Sequence, residues 1–117
     1  VLKNVSAPKK KFRLTKNDQY ESVYAAQQKI EVGAFLVYYI YNEVANNPRL
    51  GIVVAKKYIK KAVKRNYFKR IIREFFNDYS RYLKNVDIII IVRDVKKIAK
   101  NKIFQLLRTV FEFFVRV

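Results

Sequence analysis

Residues 56–73 read KKYIKKAVKRNYFKRIIR, and no other stretch constrains the fold as strongly. It holds nine basic residues (Lys56, Lys57, Lys60, Lys61, Lys64, Arg65, Lys69, Arg70 and Arg73) and no acidic one. Ile, Val and Phe are interleaved with them. Such a segment must bury one side and turn its charge elsewhere. On a helix at about 100° per residue, Phe68, Ile71, Ile72, Phe75 and Tyr79 fall within an arc of about 100°. Arg65, Asn66, Lys69, Arg70 and Arg73 fall within a separate arc of about 140°. A helix over residues 60–83 would therefore cover a sheet with one face and present a continuous cationic face.

The charge on that face is uncompensated. Surface helices usually mix signs so that i,i+4 pairs form. Lys61, Arg65, Lys69 and Arg73 stand at intervals of four and are all positive. Glu74 and Asp78 can relieve only the last turn. A bound polyanion would remove the self-repulsion of the rest. The whole chain carries a formal charge of +17, from 26 basic and nine acidic residues among 117. That charge allows nucleic acid, an anionic membrane surface or an acidic protein as partner. Nucleic acid leads at this size and basicity. A membrane-lying helix fits less well, because the apolar arc is needed to cover a sheet.

The rest of the chain supplies that sheet. Thr15 begins a predicted helix, with Asp18 as its capping-box acid, and Tyr20, Val23, Tyr24 and Gln27 on one face. The helix should fade near Gln28. Residues 35–41, FLVYYIY, read as a strand. Phe35, Val37, Tyr39 and Tyr41 share one of its faces, and Leu36, Tyr38 and Ile40 the other. Residues 29–32 add a short edge strand. A polar turn over residues 42–48 leads to a strand over 50–55, expected to be antiparallel to the first because the connection is short. Residues 87–94, DIIIIVRD, are apolar at consecutive positions, as in a strand covered on both faces. Ile103, Leu106, Leu107, Val110, Phe111 and Phe114 mark a C-terminal amphipathic helix. The expected fold is a single-domain α+β sandwich, one mixed sheet of three or four strands with three helices. Residues 1–12, with Pro8 and the run Lys9, Lys10 and Lys11, read as a mobile or extended basic arm ahead of a domain over 13–117. Together with Arg13, those lysines are candidates for accessory phosphate contacts.

Several chemistries are disfavoured. The chain has neither Cys nor His, which removes disulfides, thiol chemistry, the commonest general base and the commonest transition-metal ligand. Its acids are spread singly, whereas metal-dependent nucleases cluster carboxylates. Gly33 and Gly51 are the only glycines, so no phosphate loop is present. No catalytic or metal-ligating set is expected on this chain. The longest aliphatic run, residues 88–92, is far short of a membrane span. No long apolar stretch follows the basic start, so no signal peptide is expected, and the cytoplasm is the simplest location.

The residues leave DNA and RNA both open, and the aromatic content suits unpaired bases. No zinc-finger, bZIP or helix-turn-helix spacing is visible. Nine Tyr and nine Phe are many for a small domain. Tyr tolerates a wet surface through its hydroxyl, and rings beside cations suit unpaired bases. For any single ring, core packing is the commoner fate.

Two segments together resemble a known family. RLGIVVAKK (residues 49–57) followed by KKAVKRNYFKRIIREFF (residues 60–76) resembles the protein subunit of bacterial ribonuclease P. The family signature Arg-Asn-x-x-Lys-Arg-x-x-Arg-Glu is present as Arg65, Asn66, Lys69, Arg70, Arg73 and Glu74. The order FRLTKNDQYESVY, FLVYY, RLGIVVAKK, basic helix and DIIIIVRD extends the resemblance over most of the chain. YIKK stands where some members place a Gly.

The resemblance implies a division of labour. A catalytic RNA with bound magnesium cleaves precursor tRNA to give the mature 5′ end. The protein binds that RNA and the single-stranded 5′ leader of the substrate, and promotes productive metal binding. Arg65, Asn66, Lys69, Arg70 and Arg73 would contact the catalytic RNA, with Lys56, Lys57 and Lys61 extending the surface. Tyr20, Tyr24 and Tyr38 match aromatic positions of the leader cleft. The resemblance also implies a left-handed βαβ crossover, against the usual rule. It implies no metal held by the protein alone, no membrane and no obligate protein partner. The alternatives are a ribosomal or general RNA-binding domain, or a self-sufficient metal-dependent nuclease.

Overall fold

The structure, a computed structural model, describes residues 12–42, 47–96 and 98–116. Its elements run in the order α1 (Asn17–Ala25), β1 (Lys29–Val32), β2 (Phe35–Tyr41), β3 (Arg49–Val54), α2 (Ala62–Tyr79), β4 (Val86–Val92) and α3 (Lys100–Arg116). A 3₁₀ turn, Ser80–Tyr82, follows α2. This is the expected α+β plan, with the short strand β1 present.

The sheet order is β1-β2-β4-β3. β4 pairs antiparallel with β2 and parallel with β3. The expected antiparallel direction of β3 relative to β2 is therefore present, without direct pairing. The two run in opposite directions, but β4 lies between them. Composition explains the choice. Every residue of β4 except Ile91 is fully buried, and only a central position covers both faces of a strand. The connection over residues 42–48 has to step across one intervening strand, about 10 Å, well within the reach of seven residues.

β1 and β2 form a hairpin in which Val32 pairs with Phe35. Gly33 is the first of its two turn residues and has φ 59, the conformation that a type II′ turn demands there. An added Cβ would also lie 2.7 Å from Leu106 of α3. The start of α1 differs in detail from expectation. Gln19, rather than Asp18, reaches back, its Oε1 accepting from the backbone N–H of Thr15 at 2.7 Å and of Lys16 at 3.1 Å. Asn17 is accordingly the first helical residue.

Alternation along the strands divides the core in two. Phe35, Val37, Leu50, Ile88, Ile90 and Val92 face α2 and α3, packing on Phe68, Ile71, Ile72, Phe76, Leu107, Val110, Phe111 and Phe114. Phe75 and Tyr79, expected inward on α2, are only partly buried there, and Phe76 is the deeper residue. Phe75 and Tyr79 instead stack on Phe111 of α3, at interplanar angles of 6° and 12°. On the opposite face a smaller cluster, Leu14, Val23 and Ile89, sits under α1. α1 has only nine residues and one buried side chain, so it cannot cover that face.

Candidate nucleic-acid interface

The open face of the sheet is organised by register. Lys29, Tyr38, Ile89 and Gly51 form one cross-strand row. α1 lies over this row. Tyr24 meets Tyr38 edge to face at 5.0 Å, Val23 is buried with Ile89, and Tyr20 lies against Gly51. A Cβ at Gly51 would stand 2.7 Å from the Tyr20 hydroxyl oxygen. The next row, Leu36, Ile91 and Val53, is half-buried. The result is an apolar floor beside a wall of tyrosines.

Two recesses open along this wall. One is lined by Tyr24, Gln27, Lys29 and Tyr38, with the Lys29 Nζ 5.8 Å from the Tyr38 ring centroid. The other is lined by Arg13, Leu14, Tyr20, Leu50, Gly51, Ile52, Lys69 and Arg73. Arg13 reaches it because the chain before α1 pairs along β3, with a bridge to Leu50 and a 3.0 Å bond from Leu14 N–H to the Leu50 carbonyl. Phe12 packs partly against the main core. Burial raises the hydroxyls of Tyr20 and Tyr24 above the ordinary tyrosine value, and Tyr24 is raised further by Tyr20 and Tyr38. Both rings are therefore neutral at physiological pH.

The cationic arc of α2 divides into three parts. Lys69 and Arg73 are half-buried and turn toward Tyr20. Asn66 and Arg70 are exposed, the Arg70 guanidinium lying 5.6 Å from the Tyr67 ring centroid. Arg65 folds back, its Nη1 donating to the carbonyls of Ile59 and Lys60. Lys56, Lys57 and Lys61 are exposed between β3 and α2. Among the described residues the ion pairs are Arg49–Asp87 and Arg93–Glu31. Neither uses a cation of α2, so the uncompensated charge read from the sequence persists in three dimensions. Lys9, Lys10 and Lys11 lie outside the described residues.

Sequence reasoning passed over three participants. Lys29 is placed opposite Tyr38 by the two-residue hairpin turn, and Gly33 was its signal. Gly51 admits the Tyr20 ring, which only tertiary contact reveals. Asp87 is buried at 2% exposure. It accepts from Arg49 Nε at 2.8 Å and Nη2 at 2.7 Å, and from Asn42 Nδ2 at 2.9 Å. This network ties together the ends of β2, β3 and β4 beside Asp18, Gln19 and Ser22 of α1. Among the described residues no three carboxylates come together as a metal-binding group, and no helix is long and apolar enough to cross a membrane.

Comparison with known proteins gives a consistent result. The family Ribonuclease P matches residues 9–116. A ribonuclease P protein component of Coxiella burnetii is 33% identical over 91 residues, covering 78% of this chain and 74% of that protein. One from Vibrio parahaemolyticus is 33% identical over 104 residues, covering 88% and 87%. The solved ribonuclease P protein of Staphylococcus aureus superposes with a TM-score of 0.75 at 32% identity, over 94% of each chain.

Proposed function

This chain belongs to the ribonuclease P protein family, and from that we propose how it serves as the protein subunit of an RNA-based endoribonuclease. The cationic face of α2, with Asn66, Lys69, Arg70 and Arg73, binds the catalytic RNA, and Arg65, Lys56, Lys57 and Lys61 extend that surface. The α1–sheet groove, with Tyr20, Tyr24 and Tyr38, takes the single-stranded 5′ leader of precursor tRNA. Arg13 and Lys9, Lys10 and Lys11 make accessory phosphate contacts. The complex works in the cytoplasm and needs no further protein.

One observation carries this reading. Lys69 and Arg73 belong to the basic helix and also line the recess that holds Tyr20. A single surface therefore joins a phosphate-neutralising helix to an aromatic groove. Cations set the register of a polyanion, and rings stack on its unpaired bases. Both polymers would be held together, and the protein would position the leader against the RNA that cuts it.

Magnesium has no donor set among the described residues, whose carboxylates do not cluster. It is assigned to the RNA, where it would supply the activated water and stabilise the leaving oxygen. The side chains of this protein bind and orient, and lower the repulsion between RNA and substrate.

The deciding experiment measures precursor tRNA cleavage at low magnesium with the protein alone, the ribonuclease P RNA alone, and both. Cleavage by the mixture well above that by RNA alone is expected. Activity of the protein alone would overturn the division of labour. No gain on adding protein would reduce it to a general RNA binder.

A further inference from the structure

Tyr67 stands apart from the residues assigned above. It is 41% exposed, whereas Phe68, Phe75, Phe76 and Tyr79 of the same helix pack against the main core. One turn earlier, Val63 is 80% exposed. At about 100° per residue both lie beyond Arg70, on the flank of the cationic arc away from Lys69 and Arg73. A helix with an ample buried face thus keeps two large apolar side chains in water.

The ring is held in place. It meets the buried Phe68 edge to face at 5.7 Å, and the Arg70 guanidinium lies 5.6 Å from its centroid. A flat apolar surface, anchored on the core and bordered by a guanidinium, has the composition of a nucleobase stacking site. The ring takes the base, and the guanidinium takes the phosphate beside it. The surrounding positive charge favours a polyanion over an apolar protein partner.

We infer that Tyr67, with Arg70 and Val63, forms a stacking site for an unpaired base of the RNA held along α2, separate from the groove at Tyr20 and Tyr24. The inference rests on α2 being the catalytic-RNA face.

The test uses the full chain and ribonuclease P RNA, comparing Tyr67→Ala, Tyr67→Phe and Tyr67→Leu, with Arg73→Ala as control. Affinity is measured across a salt series, and base reactivity by chemical probing. Tyr67→Ala should weaken binding roughly 5- to 150-fold, with an unchanged log–log salt slope because no charge is removed. Tyr67→Phe should bind as wild type. One unpaired base should be protected by wild type and by Tyr67→Phe, and be reactive with Tyr67→Leu, which keeps apolar bulk on Phe68 without a flat ring. That probing decides the matter should Tyr67→Ala fail to fold. Wild-type affinity of Tyr67→Ala with Arg73→Ala weakened would overturn the stacking site alone. No loss in either variant would remove the reading of α2 as well. Equal losses for Ala and Phe, or no base changing reactivity, would also overturn the stacking site.

Discussion

The Arg65 guanidinium reaches back over the start of α2 to Lys60, its Nη1 donating to the Lys60 carbonyl at 2.7 Å. The same nitrogen donates to the Ile59 carbonyl at 3.0 Å. It thereby fastens the exposed segment that presents Lys56, Lys57 and Lys61. Those bonds use Nη1, so the proposed phosphate contact falls to the other guanidinium nitrogens. Arg65→Ala is expected to weaken catalytic-RNA binding and to reduce its log–log salt slope by about one unit. Binding titrations at several salt concentrations check this. Weaker binding at an unchanged slope would restrict Arg65 to holding the segment.

Tyr24 and Tyr38 form the aromatic pair of the proposed leader groove, 5.0 Å apart. Tyr24→Ala should weaken leader-bearing precursor tRNA by about 1–3 kcal/mol, the range for one stacked base. Binding of leaderless tRNA by the holoenzyme should be unchanged. Equal losses for both substrates would point to a folding defect.

Gly51 and Tyr20 occupy one space. In Gly51→Ala the new Cβ would lie 2.7–2.8 Å from the Tyr20 ring and hydroxyl, so the ring must shift. A cost of about 1–3 kcal/mol is expected, as for other overpacked sites. In a Tyr20→Ala background the same substitution should cost much less, because neighbouring sites couple. Urea denaturation of the four proteins measures the coupling, and additive losses would contradict the contact.

Among the described residues Asp87 is the buried acid, and Arg49 its bidentate partner. Asp87→Ala strands the Arg49 charge and should destabilise by about 3–5 kcal/mol. Replacing both residues by apolar ones, Arg49→Met with Asp87→Leu, should cost far less. Denaturation midpoints distinguish the two, and comparable losses would show that the network does more than neutralise a charge.

Burial raises the hydroxyls of Tyr20 and Tyr24 above 10.0. The folded state thus disfavours their phenolates. Their contribution to stability is complete below pH 10.0 and is lost as pH rises through the folded value. Ultraviolet titration should show late-ionising tyrosines in the folded protein, one fewer in Tyr24→Phe. Unfolded protein should show only ordinary ones.

Much of the fold follows from local pattern. The consecutive isoleucines of β4, the alternation in β2 and the two arcs of α2 each encode an element and the face it buries. β1 was legible as a short edge strand, but the hairpin that its glycine allows was passed over. The neighbour of β3 was not legible, because strand pairing depends on residues far apart in sequence. Side-chain direction was also hidden. The helical wheel put Arg65, Lys69 and Arg70 on one arc, yet docking sends one to backbone carbonyls, one to the Tyr20 recess and one to Tyr67.

The sequence by itself determined the order of elements, the amphipathic basic helix and the family to which its residues belong, since periodicity and motif are properties of neighbours along the chain. Only the tertiary structure decided that β4 lies between β2 and β3, that Gly51 receives Tyr20, and that Lys69 and Arg73 border the same recess. Those facts depend on burying the most apolar strand at the centre, and that arrangement brings α1 and α2 to the two sides of β3.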